Sequence, residues 1–283
     1  MSSPRSQIVA QLQQALRRCE GARRPHAGRR TSTGCPELDR LLPEGGLGRG
    51  TLVEWLAAAS GSGALWLALT AAREACREHG PLVVVDGERT FYPPAAARAG
   101  LEPEELIVVH AGNARDESWA LDQALRSAGV GAVLCSTRRL NQAAGRRLQL
   151  AAETSGGLGL LVRPASVRDE PCWAEARLLV EPLAGEHGGA AVAAANVSDS
   201  PLQARRLRHN ASETVTLRRV RVELLRARGS LTEQIAGRRL ELEIDDETGF
   251  VRVADRLVAT APRAEPKPHE STRSVAPHRR ARA

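Results

Sequence analysis

Lysine is nearly absent from this 283-residue chain: of its 40 Lys and Arg residues 39 are arginine, and the single lysine, Lys267, stands near the C-terminus. No lysine upstream of it is on hand for a catalytic or phosphate-binding role. Aromatic residues make up 2% of the chain, namely Trp55, Trp66, Trp119, Trp173, Phe91, Phe250 and Tyr92. That is too few for a binder that lines a whole groove with base-stacking rings, and the core must be built from aliphatic layers. The five cysteines (Cys19, Cys35, Cys76, Cys135, Cys172) are odd in number, far apart and without a C-x-x-C pair. This excludes a disulfide framework and points to free, mostly buried thiols in a reducing cytoplasm. There is no N-terminal apolar h-region and no apolar run of about 18 residues, so neither a signal peptide nor a membrane span is expected, and a cytoplasmic location is. The seven histidines are scattered, with no H-E-x-x-H, and no metal site is expected.

The charge that is present sits at the ends. Residues 1–30 carry seven arginines against Glu20, a balance of +6, and residues 261–283 carry five arginines and Lys267 against two glutamates, +4. Against a total of +7 this leaves a mildly acidic body of about −3, so the pI near 10 describes the termini. Such arms either bind nucleic acid or an acidic partner through charge, or are solvated tails. Ile8, Val9, Leu12 and Leu16 fall at helical spacing, which predicts a short amphipathic helix over 6–19 before a basic linker to residue 30. Ile8, Leu12 and Leu16 are candidate partner contacts.

From residue 31 short apolar runs alternate with helical stripes. Strands are predicted at 52–56, 82–86, 106–110, 132–136 and 158–163, apolar on both faces as in the middle of a parallel sheet covered by helices. Between them Leu65, Ala68, Leu69, Ala72 and Cys76 form one stripe, Leu121, Ala124, Leu125 and Ala128 a second, and Leu140, Ala143, Ala144, Leu148 and Ala151 a third. The pattern predicts an α/β doubly wound core. A further strand is expected at 177–180. Alternating runs at 215–226 and 240–253, the latter broken by Asp245-Asp246-Glu247-Thr248-Gly249, predict an antiparallel hairpin closing the sheet edge. Residues 260–283 are too polar to fold and are expected to be a disordered basic tail. The domain reading is therefore an arm over 1–30, one domain over 31–259 and a tail over 260–283.

Between the first strand and its helix lies Ala58-Ala59-Ser60-Gly61-Ser62-Gly63-Ala64-Leu65, where a G-x-x-x-x-G-K-[ST] phosphate loop would be. Gly63 fills the second glycine position, while Ala58, Ala64 and Leu65 replace the first glycine, the lysine and the magnesium-holding hydroxyl. The remaining backbone amides at a helix N-terminus attract an anion only weakly, by about 0.3–1 kcal/mol when exposed. The lost lysine bond to a charged phosphate would have contributed roughly 1.5–3 kcal/mol. Ser60, Gly61, Ser62 and Gly63 thus read as the remnant of a phosphate loop. A bias toward arginine accounts for missing lysines in general, but not for an alanine at position 64.

Thr31-Ser32-Thr33-Gly34-Cys35-Pro36-Glu37-Leu38-Asp39, followed by Gly45-Gly46-Leu47 and Gly50-Thr51-Leu52-Val53-Glu54, resembles the run that leads into the phosphate loop of RecA-type recombinases. So does Val85-Asp86-Gly87-Glu88-Arg89 with the proline-led segment after it. A closer resemblance is to the ImuA family, RecA- and SulA-like proteins linked to damage-induced mutagenesis. It is carried by Ser118-Trp119-Ala120-Leu121-Asp122-Gln123-Ala124-Leu125-Arg126, Arg146-Arg147-Leu148-Gln149-Leu150-Ala151-Ala152-Glu153 and the segment from Arg219 to Gly229. The resemblance implies a RecA-like parallel sheet and a non-catalytic accessory role in SOS-induced translesion DNA synthesis. The partners it implies are an ImuB-like Y-family polymerase homologue, an error-prone replicative-type DNA polymerase and RecA itself.

By the same resemblance Glu88 stands where RecA proteins carry the glutamate that orients the attacking water. Ser136 stands where an acidic residue would help hold magnesium. With lysine, hydroxyl and acid all replaced, Glu88 reads as a relic carboxylate, and no cofactor is expected. Two other classes stay open. One is a divergent DNA-dependent ATPase in which Arg49 or Arg89 replaces the lysine; the other is a SulA-like inhibitor of cell division. Arg138, Arg139, Arg146 and Arg147 are expected on the helix after the fourth strand, as a solvated face or a DNA contact, and Trp119 and Trp173 as core or interface anchors.

Overall fold

The computed structural model describes residues 26, 28–183, 217–228, 237–245 and 251–254. Ile8, Leu12 and Leu16, Cys19, Lys267 and the tail over 260–283 lie outside the described residues.

The fold is RecA-like α/β. Six parallel strands form its centre: β3 (Leu52–Ala57), β4 (Leu82–Val85), β5 (Leu106–Val109), β6 (Ala132–Ser136), β7 (Leu158–Pro164) and β8 (Ala176–Pro182). Three antiparallel strands extend the β8 edge: β9 (Leu217–Ala227), β10 (Arg239–Asp245) and β11 (Val251–Val253). Among the described residues the sheet order is β11-β10-β9-β8-β3-β7-β6-β4-β5. The expected C-terminal hairpin is therefore present, with β11 added after the turn-like segment. The long apolar runs β3, β4 and β6 are buried along nearly their whole length, which is why they show no period-two alternation.

Helices cover both faces. On one face α2 (Ala64–His79) and the short α1 (Pro36–Leu41) and α3 (Pro93–Arg98) enclose a core that includes Val53, Trp55, Leu67, Leu69, Leu134 and Leu160. Val220, Val222, Leu240, Leu242 and Ile244 from the antiparallel strands join this same core. On the other face α4 (Ala114–Arg126) and α5 (Gln142–Ser155) lie side by side over Val83, Val85, Val133 and Leu161. Asn113 caps α4 by accepting from the Arg115 and Asp116 amides, and Asn141 caps α5 by accepting from Ala144. Leu140 precedes α5 and Ala128 follows α4, so both stripes overran their helices by a residue or two. Two short 3-10 turns lie at Pro103–Glu105 and Ala165–Val167, and a two-stranded ribbon pairs β1 (Arg30–Thr31) with β2 (Leu47–Gly48). It carries no periodic signal and went unread.

The β7–β8 connection uses no α-helix. Residues 165–175 run as a strap over the α5 face, and a buried ionic cluster holds them down. Glu54, in the middle of β3 and 1% exposed, lies 3.3 Å from Arg163 Nη1 on β7 and 2.6 Å from Arg177 Nη2 on β8. Arg177 Nη1 donates to the carbonyls of Arg168 and Glu170 in the strap, and Arg163 Nη2 to the Glu170 carboxylate. Both arginines are buried. A glutamate inside an otherwise apolar strand was the available sequence signal for this cluster.

Candidate functional site

β3 ends at Ala57, at the carboxyl edge of the parallel strands where open α/β sheets place their ligand crevice. The loop that follows is tightly held. The Ala58 amide donates to Val180 of β8, and the Ser62 amide closes a turn onto Ala59. Gly61 (φ 74) and Gly63 (φ 90) adopt left-handed conformations, and Gly63 caps α2 with no side-chain hydrogen bond. The sequence placed this loop correctly between strand and helix, with Ser60, Gly61, Ser62 and Gly63 together on it.

The three replaced positions have distinct environments. Ala64, at the lysine position, is 2% exposed and belongs to the core of the α2 face. Leu65, at the hydroxyl position, is 36% exposed. Beside them is a cavity of about 340 Å³ lined by the loop and by Trp66, Leu69, Ala95, Val162 and Arg218. Apart from the loop backbone, its two serines and Arg218, this lining is mostly hydrocarbon, a poor setting for a triphosphate and its metal.

Arg218 is the residue that sequence reasoning missed. From β9 its Nη1 donates to the Gly61 carbonyl at 3.0 Å, across 157 positions of sequence. A methyl group added to Gly63 would come within 2.9 Å of Ile244 Cδ1 and 3.3 Å of Val220 Cγ1. The antiparallel strands thus seat on the loop. Arg218, Val220 and Val222 share one face of β9 by strand alternation, and that alternation was the only local hint.

The arginines considered as lysine substitutes lie elsewhere. Arg49 precedes β3, at the opposite end of the strand from the loop, and is buried with its Nη1 on the Gly131 carbonyl. Burial depresses its pKa, against the raising influence of Glu78. It therefore cannot serve the loop: β3 alone separates them by about 20 Å at strand rise. Arg89 is exposed, in a left-handed conformation (φ 56) in the turn after β4.

Glu88 is exposed in that same turn. The structured carboxylate there is its neighbour Asp86, buried and accepting from the Thr90 and Phe91 amides at 3.1 and 2.9 Å. Asp86 therefore shapes the turn that carries Glu88. Ser136 ends β6 exposed. His110 follows β5, half exposed, with Nδ1 3.9 Å from Asp86. Gly156 is the left-handed C-cap of α5 (φ 80).

Among the described residues no group of three or more His, Cys, Asp or Glu is placed to hold a metal ion. No described helix is long and apolar enough to cross a membrane. Cys35, Cys76 and Cys135 are buried and Cys172 is partly buried. Burial pushes the Cys76 thiol up to about 12, and burial together with Glu117 raises that of Cys135. These are inert packing thiols. Trp119 is 66% exposed and so is not a core anchor. Arg138 and Arg139 lie in the β6–α5 connection, ahead of the helix on which they were expected, while Arg146 and Arg147 are on α5.

No protein-family model matches the chain. It is similar to Protein RecA of Desulforapulum autotrophicum, 33% identical over 114 residues, which covers 40% of this chain and 33% of that protein. It is also similar to Protein ImuA from two strains of Caulobacter vibrioides, 30% identical over 146 residues, or 48% of this chain and 60% of each relative. The chain thus spans about a third of the RecA relative and three fifths of the ImuA relatives. The ImuA resemblance read from its motifs is therefore matched by curated relatives of that name, on a RecA-like fold.

Proposed function

We propose that this protein is a non-catalytic accessory factor in DNA-damage-induced translesion synthesis, working through protein contacts. The observation that carries the reading is Ala64. A phosphate-loop lysine works by extending over the loop to the β- and γ-phosphates. Here that position has a methyl group packed in the core, with Leu65 beside it in place of the metal-holding hydroxyl. The similarity to ImuA and RecA proteins supports a place in the DNA-damage response. The partners that fit are an ImuB-like polymerase homologue, an error-prone replicative-type polymerase and RecA, in the cytoplasm.

A second reading, a divergent ATPase, is favoured by one observation: Arg218 lines the cavity beside the loop. Titration of the full chain with ATP and magnesium separates the two. The accessory reading expects no saturable binding at micromolar nucleotide and no DNA-stimulated hydrolysis. Hydrolysis that disappears in Glu88→Gln would overturn it. A pull-down that captures the division tubulin homologue in place of replication proteins would instead favour a SulA-like inhibitor.

A further inference from the structure

The cavity beside the β3–α2 loop has two unlike sides. One is hydrocarbon, from Trp66, Leu69, Ala95 and Val162, and the other is the loop with the first turn of α2. Gly63 caps that helix without a side-chain hydrogen bond, so its first-turn amides are left to an acceptor from outside the helix. Ser62 lines the cavity and is 2% exposed. Among the described residues its hydroxyl has no hydrogen-bond partner, and at that burial the cavity is the opening left to it. Burying an unpaired hydroxyl is costly, so this one marks a place where an outside group bonds.

Charge decides what that group is. Among the described residues no Asp or Glu lines the cavity, and Arg218 does. Its Nη1 is committed to the Gly61 carbonyl, so it acts on the cavity through its charge. The acids of β10 turn away: Ile244 packs in the core, which puts Glu243 and Asp245 on the outer face, where Glu243 meets Arg219 and Arg252. Glu88 is exposed in the turn after β4 and is not part of the lining. The N-terminus of α2 adds partial positive charge. The site therefore pairs an anion-attracting end with an apolar chamber.

A ligand for it needs a carboxylate and a hydrocarbon group side by side. Asp and Glu side chains offer only a short methylene stem. A polypeptide joins an aliphatic side chain and a carboxylate on one carbon only at its C-terminus, and backbone amides are one way such an end is held. We propose that this cavity captures the C-terminal carboxylate of a partner protein whose last residue is aliphatic. The loop amides and Ser62 hold the carboxylate, and the hydrocarbon wall holds the side chain. The proposal rests on the accessory reading, because a nucleotide would fill the same space.

The test follows the amide NMR signals of residues 61–66 in the full chain during titration with the peptide acetyl-Gly-Gly-Leu. The free acid shifts them saturably, with a dissociation constant of about a millimolar or lower. Its C-terminal amide binds at least about ten-fold more weakly, for the lost hydrogen bonds to a charged group, and so does acetyl-Gly-Gly-Ala, for the emptied chamber. Ser62→Ala weakens binding about ten-fold. Leu65→Glu puts a carboxylate on the first turn of α2, where it favours the helix, and abolishes the shifts without lowering the melting temperature. Equal binding of acid and amide would overturn the proposal, as would shifts that survive Leu65→Glu. Isocaproate binding as tightly as the peptide would also overturn it, and make the ligand a small acid. ATP with magnesium separates this proposal from the reading beneath it. If ATP shifts the same signals, both fall; if neither ATP nor the peptide shifts them, the proposal alone falls.

Discussion

Arg218 Nη1 donates a 3.0 Å hydrogen bond to the carbonyl of Gly61, tying the antiparallel extension of the sheet to the loop between β3 and α2. A phosphate loop presents its amides to a ligand. Here one of its carbonyls is held by an arginine from the far end of the described chain. The contact makes the loop part of the sheet's packing, so its conformation depends on β9.

Removing that tie has a local signature. Gly61 sits at a solvent-facing turn, so water replaces the lost donor and Arg218→Ala costs only about 0.5–1.5 kcal/mol in urea denaturation. The larger effect falls on the loop, where amide hydrogen exchange over 59–65 rises while that of β4 and β6 stays unchanged. Equal acceleration throughout the sheet would mean that Arg218 supports the fold in general.

A lysine placed at position 64 is not expected to create a nucleotide site. In Ala64→Lys a four-carbon stem must leave a position that is 2% exposed, and overpacking of this kind costs about 1–3 kcal/mol. Ala64→Lys with Leu65→Thr is expected to be less stable in urea and still to bind no ATP in a magnesium titration. Micromolar binding by the double variant would show that the scaffold retains a working nucleotide site and lacks only two side chains.

Gly63 is constrained twice over, by φ of 90° and by Ile244 Cδ1 2.9 Å from where a Cβ would stand. Gly63→Ala is expected to lose about 1–3 kcal/mol. Pairing it with Ile244→Val relieves the steric part and leaves the backbone part. A double variant whose loss equals the sum of Gly63→Ala and Ile244→Val measured singly would show that the backbone conformation alone sets the cost.

The parallel strands were legible because each is a short apolar run, buried on both faces except in the edge strand β5, and their sequence boundaries agree with the structure to within about two residues. The loop between β3 and α2 was legible because glycines between an apolar strand and a helical stripe mark a tight turn, and Gly61 and Gly63 take left-handed conformations there. What stayed hidden was long-range. Nothing near Arg218 indicates that it reaches Gly61, and nothing near Trp119 distinguishes an exposed indole from a buried one. Glu54 was visible as an oddity in an apolar strand. Its partners Arg163 and Arg177 come from strands more than a hundred positions away, and only the β7-β3-β8 order brings them together.

The outer face of the antiparallel strands titrates in a definite direction. Partial burial pushes the Glu243 carboxyl up, but hydrogen bonds from Arg219 and Arg252, each 3.0 Å, outweigh it and hold it below the ordinary value. A depressed folded pKa means that the unfolded chain binds the proton first, so the stabilisation is complete above the unfolded value of about 4.3 and is lost as pH falls through the folded one. The melting temperature of Glu243→Gln should lie below that of the wild type at pH 7. The gap should hold down to about pH 5 and close at more acid pH. A gap that widens on acidification would reverse the assignment.

The Glu54 cluster gives the strongest test of the core. Removing one partner of a buried ion pair strands the other charge, which typically costs about 3–5 kcal/mol. Glu54→Gln keeps the shape but leaves Arg163 and Arg177 facing a neutral amide, so it should fall in that range in urea denaturation. Replacing all three by Glu54→Leu, Arg163→Met and Arg177→Met removes the stranded charges and should recover most of the loss, because desolvating the ions opposes their attraction. The two results separate stability from positioning. Arg177 also holds the Arg168 and Glu170 carbonyls, so the triple variant should regain stability while the strap over 165–175 becomes sensitive to protease. A strap still protected in the triple variant would show that α5 and Trp173 hold it without the arginines.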